Sequence, residues 1–267
     1  MSITWIVQDN LGSTSSTADS IKRACENEGQ TYLPIQVIPF SSELPEKPDI
    51  DGKFVLYGRT TLMLNALADD FWKHGLFFTP ELFTPACYTK HWGEMMLNCD
   101  AFVVKLRDVC EIRDKELNHM PMDSKFFVRP NDDLKLFSSG VVTLALLNEM
   151  MENATEDTSE PVNLNTEIYL SSVKHIDREW RLIMVDGKFV SGSQYLPKMS
   201  LVVPHEVIEL AETAASIWTP APVFVMDIAA DGRRLKIIEC NCFNGSGFYE
   251  SDLDLIVRTV SKYMELS

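Results

Sequence analysis

The sequence predicts a mixed α/β (α+β) fold, and three observations carry that expectation. Short apolar strands alternate with helix-spaced segments through the first third of the chain, the pattern of a small parallel sheet with crossover helices, Rossmann-like in outline. The later part turns strand-rich and contains two hairpins. At 267 residues the chain exceeds the commonest single-domain length, so two or three packed subdomains are expected.

Residues 3–7 (ITWIV) read as the first strand, and the run GSTSST from Gly12 offers N-caps for a helix through Ala18, Ile21 and Ala24. Residues 32–38 and 53–57 are the next strands, and Gly58-Arg59-Thr60 opens a helix through Leu62, Leu64, Leu67 and Phe71. Neither GxGxxG nor GxxxxGK[ST] occurs, so this third carries no familiar phosphate loop. Residues 88–97 look helical, 101–106 a strand, and 108–117 a charged helix or loop. A strand over 126–130 is stopped by Pro130, and 141–151 has helical spacing through Leu144, Leu147 and Met151. The polar stretch 153–160 (NATEDTSE) is expected to be a mobile loop. Strands follow at 167–171, 180–185, 188–193, 223–228 and 235–240, with a closing helix over 251–264.

Twenty-four basic against 39 acidic residues leave a formal charge of −15, which repels a phosphate backbone and argues against general nucleic-acid or anionic-membrane binding. No run approaches the roughly 20 apolar residues of a membrane span. The six cysteines form no CxxC pair and the opening MSITWIVQDN has no signal-peptide pattern, so a reducing, cytoplasmic setting with free thiols is expected. The histidines have no metal-ligand spacing.

Three segments carry chemistry. In the first hairpin, Glu179 and Arg181 share a face of a strand that ends in the turn Asp186-Gly187; they are either an ion pair at a sheet end or a grip on nucleotide hydroxyls and phosphate. In the second, the apolar runs 223–228 and 235–241 are each interrupted by one acid, Asp227 and Glu239, a costly placement unless a cation compensates it. A three- or five-residue loop around Asp231-Gly232-Arg233 would bring Asp227, Ile237, Glu239 and Asn241 to one face, and a four-residue loop would split them. Converged, two carboxylates and an amide oxygen suit a hard divalent cation. The turn Asn244-Gly245-Ser246-Gly247 follows at once and exposes backbone N–H groups. The third segment delivers Arg129 at the end of a strand, then Lys135 and a turn through Ser138 and Ser139. That set suits a polyphosphate, or else a basic loop neutralised by Asp132 and Asp133.

Taken in order, FVRPNDDLKLFSSG, EWRLIMVDGKFVSGSQY and FVMDIAADGRRLKIIECNCFNGSGFY resemble the ATP-grasp superfamily. The likeness, over residues 126–249, is strongest to a bacterial and phage clade in which arginine replaces an ATP-binding lysine. The resemblance implies an ATP-grasp fold in which residues 1–85 form a Rossmann-like preceding domain and 86–267 the ATP-grasp module. It implies that Arg129, Lys135, Ser138, Ser139, Ser172, Lys174, Glu179 and Arg181 hold ATP, Arg129 and Arg181 also acting in catalysis. Asp227, Glu239 and Asn241 match ligands for Mg2+ (or Mn2+), and Asn244, Ser246 and Gly247 match the turn near the second substrate. One departure stands out: Ser172 occupies the place of an acid in the segment linking the two lobes.

The activity so implied joins a carboxylate to an amine through an acyl phosphate, with small-molecule or peptide substrates, and releases ADP and phosphate. The alternative is a Mg-ATP-binding regulatory or host-interaction module without ligase activity. A kinase that stops at phosphoryl transfer is a further rival.

Overall fold

The first three strands, β1 (Thr4–Gln8), β2 (Thr31–Ile35) and β3 (Phe54–Tyr57), pair in parallel in the order β2-β1-β3, as the strand–helix alternation predicts. The structure, a computed structural model, describes residues 2–9, 15–38, 43–109, 120–132, 136–160 and 162–267. Helix α1 (Ser15–Asn27) joins β1 to β2, and α2 (Thr60–Leu67) follows β3. Helix α3 (Pro85–Trp92) is N-capped by Thr84, whose hydroxyl accepts from Cys87 N, and it stops at Gly93, which has φ +48°. The helix expected over 88–97 therefore starts earlier and ends sooner.

A central antiparallel sheet, β4-β7-β5-β6, is built from β4 (Phe102–Lys105), β5 (Lys125–Pro130), β6 (Gly140–Thr143) and β7 (Glu167–Ser172). The segment read as one helix over 141–151 is two elements. Val141 and Val142 pair with Phe127 and Phe126 in β6, and Thr143 then caps α4 (Leu144–Asn153) by accepting from Leu146 N. Residues 154–160 contain no helix or strand, and most of the charged 108–117 stretch lies outside the described residues.

The third sheet, β11-β10-β8-β9, is antiparallel and made of β8 (Arg178–Val185), β9 (Lys188–Leu196), β10 (Val223–Asp231) and β11 (Arg234–Cys242). Asp186 (φ +50°) and Gly187 (φ +73°) form the two-residue turn between β8 and β9, as Asp-Gly predicts. Between β9 and β10 lies a helix that the strand-rich reading missed, α5 (His205–Ile217). Its buried stripe is Val207, Ala211, Ala214 and Ala215, and the small residues dilute the hydrophobic signal. The closing helix, α6 (Leu253–Leu266), is capped by Asp252. No helix among the described residues is long and apolar enough to cross a membrane.

This third sheet is sandwiched. Trp180, Leu182, Met184, Phe224, Met226 and Ile228 share one core with α5 and with Ile6, Phe54 and Leu56 of the first sheet. On the other face Ile183, Val185, Val223 and Val225 pack with Ile256 and Val257 of α6 and with Trp5 and Val7. The central sheet has its own core around Val128, Leu144, Leu147, Ile168 and Leu170. Each such buried aliphatic or aromatic side chain contributes about 1.5–3 kcal/mol. The alternation that buries Val223 and Val225 brings Asp227 to the same face, two residues beyond the apolar cover.

Candidate functional site

The connection between β10 and β11 has only Gly232 and Arg233 between the paired residues Asp231 and Arg234, an even loop rather than the odd one that convergence requires. Left regular, that register would set Asp227 against Ile238 and turn Glu239 to the other face. A bulge corrects it. Ile228 pairs with Ile237 and Asp227 with Glu239, so Ile238 is the extra residue and the two acids stand directly opposite each other. Ile237 consequently joins Ile228 in the core, contrary to the expectation that it shares the acids' face.

Asp227 also pairs with Arg181 of β8, and Arg181 with Ser193 of β9, so Glu239, Asp227, Arg181 and Ser193 form one row across the sheet. The Arg181 guanidinium grips Asp227 in a bidentate pair, Nε to Oδ1 at 2.8 Å and Nη2 to Oδ2 at 2.7 Å, and Nη1 donates to Gly247 O at 3.3 Å. Asp227 is 1% exposed. Burial pushes its carboxyl up to about 6 against the pull of Arg181, while Arg181 itself, although burial opposes it, is raised by the charge and hydrogen bonds of Asp227.

From the central sheet, Arg129 reaches across to the row: its Nη1 donates to Glu239 Oε2 at 2.6 Å. Arg129 is buried, and its cross-strand neighbour Tyr169 ties that region to the chain before β4 by donating to Asn98 O at 2.9 Å. Asn241 donates to Glu239 Oε1 at 3.0 Å. Five of the residues singled out in the sequence, Arg129, Arg181, Asp227, Glu239 and Asn241, are thus gathered where the central and third sheets meet. Two carboxylates and an amide form an oxygen-rich set, and no group of three or more His, Cys, Asp or Glu able to hold a metal occurs among the described residues. That chemistry fits magnesium, which is commonly held by one or two carboxylates while phosphates and water complete its shell.

Glu179 is not the partner of Arg181: it accepts a hydrogen bond from the Tyr195 hydroxyl, whose pKa burial raises first and the charge of Asp227 next. Tyr195 stacks on Tyr249 at 4.9 Å between centroids, and Arg181 lies 4.9 Å from the Tyr249 ring. Neither tyrosine stood out in the sequence, and the φ of +49° at Tyr249 is legible only in coordinates.

At the strap leaving β7, Ser172 donates to Asp100 Oδ2 at 2.6 Å, and Lys174 bridges the Ser172 hydroxyl and Asp100 Oδ1, the latter at 2.7 Å. Partial burial raises the Asp100 pKa, but the hydrogen bonds from Lys174 and Ser172 prevail and hold it below its usual value. Asp100 had no sequence signal. It arrives because β4 pairs with β7, two residues after its position.

Asn244 does not line the cleft. It is fully buried, its Nδ2 donates to Leu56 O and Gly75 O at 2.6 and 3.0 Å, and its Oδ1 accepts from Phe77 N at 2.8 Å. The Ser246 hydroxyl is likewise used internally, donating to Cys242 O at 2.7 Å, while Ser246 O accepts from Tyr57. Both side chains staple the turn to the first sheet and are not free for a substrate, which leaves Gly247 exposed at the surface of the turn. Ser138 and Ser139 are exposed in the loop from β5 to β6, and Lys135 lies outside the described residues.

Two antiparallel sheets closing on an arginine–carboxylate centre define an ATP-grasp architecture. The chain belongs to an ATP-grasp domain family, the third family of its clade, whose model it matches over residues 51–260. Solved structures share the fold at low identity. The D-cycloserine synthetase DcsG superposes with a TM-score of 0.61 at 15% identity, covering 98% of this chain and 99% of that one. The ATP-grasp ligase PsnB, complexed with minimal precursor, Mg and ADP, gives 0.57 at 10%, covering 98% and 97%. D-alanine–D-alanine ligase from Bacillus anthracis gives 0.56 at 12%, covering 100% and 99%. No curated protein sequence matches the chain.

Proposed function

We propose that the protein is a Mg-ATP-dependent ligase that joins a carboxylate to an amine and releases ADP and phosphate. The observation that carries this reading is the cross-strand placement of Asp227 against Glu239, with Asn241 beside them and an arginine from each sheet on each acid. A structural role alone would leave two costly acids in apolar strands with no benefit. Family membership and the magnesium and ADP of the similar PsnB structure support it.

Asp227, Glu239 and Asn241 hold the divalent ion, and Arg129 and Arg181 hold the phosphates. Ser172, Lys174 and Asp100 meet the nucleoside, Asp100 restoring to the strap the carboxylate that Ser172 lacks. Bound Mg-ATP supplies the phosphoryl group that turns the substrate carboxylate into an acyl phosphate. The amine nitrogen then attacks the acyl carbon, the C–O bond to phosphate breaks, and the nitrogen gives up its proton. Arg181 and the backbone around Gly247 lie where developing negative charge on the acyl oxygen is stabilised. No side-chain nucleophile takes part.

The experiment is product analysis after incubation with Mg-ATP and panels of acids and amines. ADP and phosphate formed only when both partners are present is the expected result. AMP and pyrophosphate would refute the acyl-phosphate route, a phosphorylated product without amine dependence would identify a kinase, and tight nucleotide binding without turnover would leave a binding module.

A further inference from the structure

A pocket of about 60 Å³ lies between the start of α2 and the turn after β11, lined by Thr60, Met63, Phe78, Arg181, Asn241 and Gly247 among others. Its two sides are held in fixed relation. Gly58 N donates to Asn244 O at 2.9 Å, and the Asn244 side chain bonds Leu56, Gly75 and Phe77. A Cβ placed on Gly245 would stand 3.4 Å from Gly58 O and 3.7 Å from the Thr60 hydroxyl, so turn and helix start are in contact.

The polar groups facing this space are mainly donors. Arg181 uses Nε, Nη1 and Nη2 on Asp227 and Gly247, and a guanidinium has five N–H groups, so two remain. The first turn of α2 has no side-chain cap, so its N–H groups and positive dipole end open beside Thr60. The neighbouring acids are already taken: Asp227 by Arg181 and Glu239 by Arg129. An ammonium group would find few acceptors here, whereas a carboxylate would find a cation and several donors. Met63 and Phe78 add apolar wall. At roughly 10–15 Å³ per water-sized probe, the space takes a carboxylate and one or two carbons.

We infer that this pocket receives the reacting carboxylate end-on, carried on a slender unbranched stem, and that Thr60, Met63 and Phe78 of the first lobe select it. The inference rests on the ligase reading and names its acid substrate class.

Binding to the full-length, nucleotide-free protein tests it by calorimetry, with succinate, pivalate and putrescine as probes and Mg-ATP titrated separately. Succinate binds, while pivalate, branched beside its carboxylate, and putrescine bind at least tenfold more weakly. Thr60→Glu puts an acid where a helix start favours one, so the fold survives. It weakens succinate at least tenfold and leaves Mg-ATP affinity within twofold. Gly247→Leu, whose Cβ position has nothing within 4 Å, fills the space and does the same. Preference for putrescine, equal binding of pivalate, or unchanged succinate affinity in both variants would overturn the inference. Absence of Mg-ATP binding in the wild type would sink the ligase reading instead, and the succinate result would still be read on its own.

Discussion

Removing one half of the Arg181–Asp227 pair should do the opposite of removing the other. Asp227 ordinarily ionises near 3.8, and burial moves it to about 6. At about 1.4 kcal/mol per pH unit, keeping it ionised at pH 7 costs the fold on the order of 3 kcal/mol. A folded value above the unfolded one means this contribution favours the fold fully below 3.8 and is lost as pH rises through about 6. Asp227→Asn removes the charge but turns an amide toward Arg181, offsetting about 1–2 kcal/mol. The variant should be equal to the wild type or about 1–2 kcal/mol more stable at pH 7, an increase of up to about 4 °C in Tm. Arg181→Met instead leaves a buried carboxylate uncompensated and should cost about 3–5 kcal/mol, a fall of about 5–10 °C. Thermal melts between pH 4 and 7 check both, and the gap between Asp227→Asn and wild type should close toward pH 4. The reasoning fails if both variants destabilise alike, or if that gap does not change with pH. The same Asp227→Asn variant should lose magnesium-dependent nucleotide binding, stability gained at the expense of function.

Asn244→Ala should cost more than about 3 kcal/mol in chemical denaturation, because it strands three buried backbone groups at about 1–3 kcal/mol each. Gly192→Ala should destabilise by about 1–3 kcal/mol and lower turnover, since its Cβ would lie 2.6 Å from Arg181 O and push the strand that carries the guanidinium. A fully active, equally stable variant would count against that. Asp100→Asn should weaken Mg-ATP about tenfold and narrow the preference for ATP over 2′-deoxy-ATP; an unchanged preference would remove Asp100 from the nucleoside contact.

Much of this architecture could be read from patterns that local physics enforces. Asp186-Gly187 demands a tight hairpin because both residues adopt positive φ, and the alternation in β8 separates core Trp180 from Arg181 without any tertiary knowledge. Acids inside apolar runs marked Asp227 and Glu239 because only compensation makes such burial tolerable. What stayed hidden depends on partners distant in the chain. Asp100 acquires a role only when β4 aligns with β7, and Asn244 looks like any turn residue until Leu56, Gly75 and Phe77 claim its amide.

The convergence of the acids shows the limit most clearly. Loop counting alone would have rejected the centre, since two residues between Asp231 and Arg234 set the wrong parity for Asp227 and Glu239. Ile238 restores it by standing unpaired, and nothing in Leu-Lys-Ile-Ile-Glu distinguishes a bulged isoleucine from a paired one. The local information fixes that two acids must be compensated; it does not fix which face each reaches. That choice is made by the sandwich. Ile237 fits a core already holding Ile228, and Arg129 and Asp227 wait on the opposite side for Glu239, so the strand admits one extra residue to satisfy both. The bulge is therefore where packing and electrostatics, each requiring a different register, are reconciled, and bulges beside working sites are retained for this kind of reason.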